Sequence, residues 1–440
     1  LLRLVVGCLE RRRGPLPVSP RRLPASVQIV VLSAAITGTT GLGALAVSKW
    51  LGATDRGTIT AAQTVTSLIA NILALGLLQS ARLILSDPGI GVTLRDFVRV
   101  TRVLMIGAAA VSLVLAFTLF PFLIKAWDPV LNVGFVLLAL AVCRAGLLRE
   151  SLHGVGWHRA TLAAEAAGGL FSIIALVIAW VTHHLSLHVA LFAFVGAACV
   201  HLATQALLVR RAEGRLPDLP APADGAPTRG PETDWQLLRR LLILSLPALG
   251  AAIGVLVSWR LDRVLLSAFK GPQPLGIYSM AGTISDLAWT LPVALTPVIV
   301  RGVAQSGSAA SHARWWRRIM LTYAGLAVLL LAAGSWLLEV FLAGDFHGST
   351  PILAILLVGS AFTASMQVDL AVCTGMGNLA AGARAALWGV LVGTAGYLLL
   401  IPPFGAIGCA VANVLTFASM AVAARILLRR QLAGAPTAAA

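Results

Sequence analysis

Charge is scarce in this chain: only 11% of its 440 residues are Asp, Glu, Lys or Arg, while 58% are hydrophobic. A soluble globule of this size has too little interior to hide so much apolar surface, so a water-soluble enzyme or binding module is excluded. Cysteine is also rare. The five (Cys8, Cys143, Cys199, Cys373 and Cys409) stand singly, without a CxxC or a mixed His/Cys cluster, which argues against a disulfide framework, zinc or redox chemistry. His184 and His188 have a metal-compatible spacing, but no carboxylate or thiol accompanies them in sequence; no metal and no cofactor is expected. Acidic residues are half as many as basic ones, 17 against 33, giving a net charge of +16. The arginines cluster at the ends of apolar runs instead of alternating with aromatics, so the excess reads as a topology signal and contact with anionic membrane lipids, not nucleic-acid binding.

What is abundant is apolar sequence in lengths near 20 residues, the helical length that crosses a hydrocarbon core of about 30 Å. Runs and breaks predict twelve spans: 26–48, 58–82, 100–125, 129–150, 160–182, 186–209, 238–268, 275–302, 318–342, 350–374, 380–402 and 405–427. The first run is of spanning length and lacks a small-residue cleavage site, so it reads as a helix and not as a cleaved signal. Arginines crowd the N-terminal arm, every second connection and the last helix end (Arg82, Arg95, Arg99, Arg102; Arg144, Arg149, Arg159; Arg301, Arg314, Arg317, Arg318; Arg425, Arg429, Arg430). The opposite connections carry only Lys49, Arg56, Lys125 and Lys270. Both termini are therefore expected in the cytoplasm. The segment RLPDLPAPADGAPTRGPETD cannot form a packed core. It divides the chain into a basic arm 1–25, a six-helix lobe 26–210, a cytoplasmic Pro-rich linker 211–236, a second six-helix lobe 237–430 and a disordered tail 431–440.

The halves share a faint repeat. SKWLGATDRGTITAAQTVTS from 48 aligns without gaps to SAFKGPQPLGIYSMAGTISD from 267, matching Ser48/Ser267, Gly52/Gly271, Gly57/Gly276 and Thr64/Thr283; HGVGW (153–157) matches TGMGN (374–378) at a nearly equal offset. Both halves start on one side of the membrane, so the repeat is parallel and implies a pseudo-two-fold along the membrane normal. Within the seventh predicted helix lies WRLDR (259–263). Arg260 precedes Lys270 by ten residues, about 15 Å along a helix, close to mid-membrane. An arginine there costs about 3 kcal/mol even on lenient insertion scales, so Arg260 and Arg263, sharing a helix face, should meet protein or water. Either they lock the helix to a neighbour through Asp262, or they form a cationic patch whose planar forks suit phosphate oxygens. Lys49 and Arg56 are further candidates for that patch or simple interfacial residues. Asp262, Asp286, Asp369 and Glu165 are candidates for ion coupling or charge pairing. Pro247, Pro292 and Pro297 are expected to bend the seventh and eighth helices.

LPALGAAIGVLVSWRLDRVLLSAFKGPQPLGIYSMAGTISDLAWTLPVALTPVI (246–299) resembles helices seven and eight of bacterial polysaccharide flippases, in the multidrug/oligosaccharidyl-lipid/polysaccharide exporter superfamily. The shared features are Arg-x-Asp, a short glycine turn and Gly-Ile-Tyr-Ser-x-Ala. AVSKWLGATDRGTITAAQTVTSLIANILALGLLQSA is similar to their first two helices and TGMGNLAAGARAALWGVLVGTAGYLLLIPPFGAIGCAVANVL to their last. The resemblance implies an all-α polytopic membrane protein, twelve transmembrane helices in two six-helix lobes, in the bacterial inner membrane. It implies movement of a polyprenyl-diphosphate-linked oligosaccharide by alternating access for cell-surface polysaccharide biosynthesis, with glycan polymerases or ligases as partners and no catalytic residues. Carried onto this chain, its charged positions are Arg260 and Asp262, with Lys49 where an arginine is common. A small-molecule or drug cation antiporter of the same superfamily is the alternative; the first helix lacks the carboxylate that such antiporters use.

Overall fold

In a computed structural model, residues 25–74, 76–86, 90–124, 128–214, 233–306, 312–378 and 380–434 are described. The basic arm, most of the Pro-rich linker and the last six residues lie outside these. The described chain is helical: α1 (Ala25–Leu73), α2 (Leu77–Ser86), α3 (Leu94–Ile124), α4 (Pro129–Gly154), α5 (His158–Val181), α6 (Leu187–Glu213), α7 (Asp234–Lys270), α8 (Pro272–Ser306), α9 (His312–Trp336), α10 (Thr350–Gly375) and α11 (Ala381–Gly434).

These elements resolve into the twelve expected spans once two kinks are recognised. In α1 the helix breaks at Gly52 (φ 84°, ψ −177°) and resumes at once, so no loop separates the first two spans. In α11 it breaks at Gly405 (φ 56°), just after Pro402 and Pro403. Both conformations lie where a Cβ is disfavoured, which is why glycine stands there. A third break, at Gly76 (φ 81°), separates α1 from α2 inside the predicted second span. Helix assignment runs unbroken through Pro247 in α7 and through Pro292 and Pro297 in α8. The ninth span ends in a π-helical turn, Leu337–Leu342, followed by Ala343 at φ 48°. At the start of α4, Asp128 caps the helix by accepting from the Val130 amide at 2.8 Å, and its other oxygen pairs with His188 Nε2 at 2.5 Å. The His188 hydrogen bond, then the Val130 amide, holds this carboxylate below its ordinary range.

The chain forms two compact units, one drawn from 1–46, 65–121 and 126–250, the other from 47–64, 122–125 and 251–440. In the first, α4 packs on α2 and α6, and α5 on α6. Phe97, Cys143, Leu147 and Leu241 fill one part of its core, and Leu152, Ala164, Leu208 and Ala212 another. A charge network crosses it: Glu150, buried, takes Arg82 and Arg149, and Arg149 reaches Glu165 at 3.2 Å. In the second unit, α10 packs against α8, α9 and α11. Small residues let the two limbs of α11 approach closely: a Cβ on Gly393 would meet Thr416, and one on Gly396 would meet Ala412. Where hydrocarbon surrounds the helices, such close packing replaces the hydrophobic drive as the source of association.

The aligned glycines of the repeat meet within the second unit. A Cβ on Gly57 would overlap the Pro272 carbonyl, and a Cβ on Gly276 would overlap the Ala53 carbonyl. Ala53 and Pro272 occupy matching places in the two copies of the repeat, so the contact is reciprocal. Thr60 Oγ1 donates to Ser279 Oγ at 3.1 Å beside it.

A charged cavity as candidate functional site

WRLDR lies in the second unit, on the wall of a cavity of about 120 Å³ built from α7, α8, α10 and α11. Trp259, Arg260, Asp262 and Arg263 come from α7; Tyr278, Gly282, Ser285 and Asp286 from α8; Leu356, Ser360 and Thr363 from α10; Asn413 and Phe417 from α11. Trp259 and Phe417 meet edge to face, 6.1 Å between ring centroids. Ser285 and Ser360 share a hydrogen bond at 2.7 Å, joining α8 to α10. The wall thus combines guanidinium, carboxylate, hydroxyl and aromatic groups at one place.

The two carboxylates are held very differently. Asp262 is 3% exposed. It accepts from Tyr278 Oη at 2.6 Å, from the Arg263 amide at 2.7 Å and from Asn413 Nδ2 at 3.4 Å. Three donors on one buried carboxylate replace the hydrogen bonds to water that burial takes away. Asp286 lies 3.6 Å from the Arg263 guanidinium and its side chain is 46% exposed, against 17% for Arg263. The expected choice between an internal lock and a cationic patch is therefore mixed: Asp262 takes its hydrogen bonds from neutral donors, while its charge and that of Asp286 act on both Arg260 and Arg263. Arg260 and Arg263 are close enough to repel, as are Arg56 and Arg263. On the wall itself two guanidiniums stand with two carboxylates; Arg56, just behind the wall, brings the neighbourhood to a surplus of one positive charge. Arg263 Nε and Arg56 Nε are buried and have no hydrogen-bond partner among the described residues.

Each remaining candidate has a defined place. Arg56, buried, reaches Thr283 Oγ1 at 3.4 Å, next to the cavity but not on its wall. Lys49 is exposed; it donates to the Phe341 carbonyl and sits 4.8 Å over the Phe341 ring, away from the cavity wall. Asp369, fully buried, is clamped between Arg425 Nε at 2.7 Å and His312 Nε2 at 2.9 Å. Glu165 belongs to the network of the first unit. The structure thus gathers Arg260, Arg263, Asp262 and Asp286 at one cavity and places Lys49, Asp369 and Glu165 elsewhere.

Sequence reasoning missed Tyr278 as a partner of Asp262, although it is the tyrosine of Gly-Ile-Tyr-Ser, sixteen residues on. It also missed the hydroxyls of Ser285, Ser360 and Thr363. Asn413, a polar residue in an apolar stretch, gives no sign in the sequence of which helix it joins. No local pattern announces these, because they meet through tertiary packing.

No protein-family profile and no curated protein sequence matches the chain significantly. Solved structures do match. A structure titled lipid II flippase MurJ, inward closed conformation, has a TM-score of 0.67 at 11% identity, covering 92% of this chain and 87% of its own. The inward-facing conformation of a multidrug resistance MATE family transporter of the MOP superfamily gives 0.66 at 14%, over 94% and 100%. The MATE multidrug transporter DinF-BH gives 0.60 at 14%, over 96% and 98%. An all-helical chain with apolar spans repeated from end to end is a multi-pass membrane protein. Its fold is the one these solved transporters share: all-α, with twelve transmembrane helices in two six-helix lobes.

Proposed function

We propose that the protein is a transporter that moves a polyprenyl-diphosphate-linked oligosaccharide from the inner to the outer leaflet of a bacterial inner membrane, by alternating access between a lobe at 26–210 and one at 237–430. The observation that carries this reading is the gathering of Arg260 and Arg263 on one cavity wall with buried Arg56 close behind it, three guanidiniums near the two carboxylates Asp262 and Asp286. Buried guanidiniums without full compensation are costly in a span, and an incoming phosphate group offsets that cost with charge-assisted, bidentate hydrogen bonds. Ser285 and Ser360, bonded to each other, and Thr363, which donates to the Gly359 carbonyl, add hydroxyl groups to the same wall. Substrate binding is assigned to Arg260 and Arg263, with Arg56 strengthening the field and Lys49 acting at the outer rim. Asp369 and Glu165 are charge-pairing residues.

The test is flipping of a fluorescent polyprenyl-diphosphate glycan in proteoliposomes. Each charge-assisted hydrogen bond lost contributes about 1.5–3 kcal/mol, so Arg260→Ala and Arg263→Ala should each slow transport by about tenfold to a hundredfold. Unchanged flipping in the double variant overturns the reading.

One observation favours a second reading, a small-molecule cation antiporter. Asp286 is half-exposed and shares the wall with Trp259 and Phe417, a combination that also suits an organic cation. In that case Asp286→Asn abolishes efflux of an organic cation, while the arginine variants leave efflux intact.

A further inference from the structure

We infer that Asp286 is a built-in counterion that occupies the anion site of Arg263 in the empty transporter and is displaced by the substrate's diphosphate. The inference rests on the function proposed above and assigns a role within that site.

The geometry of the pair carries it. At 3.6 Å the Arg263–Asp286 contact is longer than the 2.7–3.2 Å of an N–H···O hydrogen bond. It holds by charge and does not fill the donor fork. The Nε of Arg263 is buried and unpartnered among the described residues, so part of that fork goes unused in this structure. Asp286 has access to water that Asp262 lacks. A carboxylate that leaves Arg263 can therefore be hydrated where it stands, whereas Asp262 could leave only by abandoning three donors. The cavity wall thus presents one fixed carboxylate, Asp262 on α7, and one exchangeable carboxylate, Asp286 on α8.

Exchange has a kinetic consequence. Pairing with Asp286 lowers the cost of an empty cationic cavity, and its return to Arg263 competes with the bound diphosphate and speeds release. Removing the competitor should tighten binding and slow turnover together, a combination that loss of structure does not produce.

The test uses the purified full-length protein in detergent with farnesyl diphosphate as the probe, together with flipping in proteoliposomes. Asp286→Asn should lower Kd about tenfold, equivalent to about 1.4 kcal/mol, and reduce the flipping rate. Asp262→Asn serves as the contrasting carboxylate and should give no gain in affinity. Wild-type binding that is lost in Arg263→Ala and tightened in Asp286→Asn supports the inference. If Arg263→Ala loses binding but Asp286→Asn binds equally or more weakly, the counterion role is overturned and the cationic site survives. Binding unaffected by Arg260→Ala and Arg263→Ala, or no binding of the probe, overturns both.

Discussion

Asp262 shows how one buried charge is sustained within a span. Its nearest donor, Tyr278 Oη at 2.6 Å, comes from α8, and its amide donor Asn413 lies 151 positions away in sequence. Removing the phenol leaves a carboxylate at 3% exposure short of one strong hydrogen bond. The loss should be about 1–3 kcal/mol, the cost of stranding a buried polar group. Tyr278→Phe should therefore lower the midpoint of thermal unfolding in detergent. In Asp262→Asn the stranded charge is gone, so adding Tyr278→Phe to that background should cost clearly less than it does alone. Equal costs in the two backgrounds would show that Tyr278 acts by packing only. Asp369 invites a larger effect. It is fully buried between Arg425 and His312, and removing one partner of a buried ion pair costs about 3–5 kcal/mol. Arg425→Ala should destabilise the fold by that order in the same assay, and Asp369→Asn on the Arg425→Ala background should recover part of it.

Among the elements, the hydropathy pattern made the twelve spans legible because their length is imposed by bilayer thickness and needs no tertiary information. The joints were less legible. Gly52 looked like part of a connection, yet α1 resumes helix directly after it. The break at Gly76 had no sequence mark beyond one glycine among many; packing against the Ser245 carbonyl, which a Cβ would overlap, picks it out. The repeat was the most productive element-scale signal, since the matched Gly57 and Gly276 meet in a reciprocal contact. A methyl group at either glycine cannot fit unless α1 and α8 separate. That separation is measurable at the neighbouring Thr60–Ser279 contact of 3.1 Å. With the native cysteines replaced, Thr60→Cys together with Ser279→Cys should form a disulfide efficiently. Adding Gly57→Val should suppress it severalfold, and undiminished cross-linking would show that the helices tolerate the bulk without parting.

At the scale of the whole molecule, apolar side chains lie on the outside. Ile106 is 74% exposed, Leu399 72% and Val328 70%. In water such a surface would aggregate; in hydrocarbon it is at no disadvantage, because every backbone group of a helix is satisfied internally. The fold was legible in composition for this reason: lipid demands apolar residues on the outside as packing demands them inside, and the few charges left over stand out. The cargo was less legible, because a diphosphate and any other anion make the same demand on a guanidinium. Orientation rests on charge alone, with arginines crowding alternate connections. Insertion retains such connections on the cytoplasmic side. The α5–α6 connection, with His183, His184 and His188 and no arginine, should then lie outside, and the arginine-bearing end of α6 inside. On a chain with its native cysteines replaced, His184→Cys should react with a membrane-impermeant maleimide in spheroplasts. Glu213→Cys should react only after permeabilisation. The opposite pattern would invert the topology and place the surplus of arginine outside, against the charge bias from which the orientation was read.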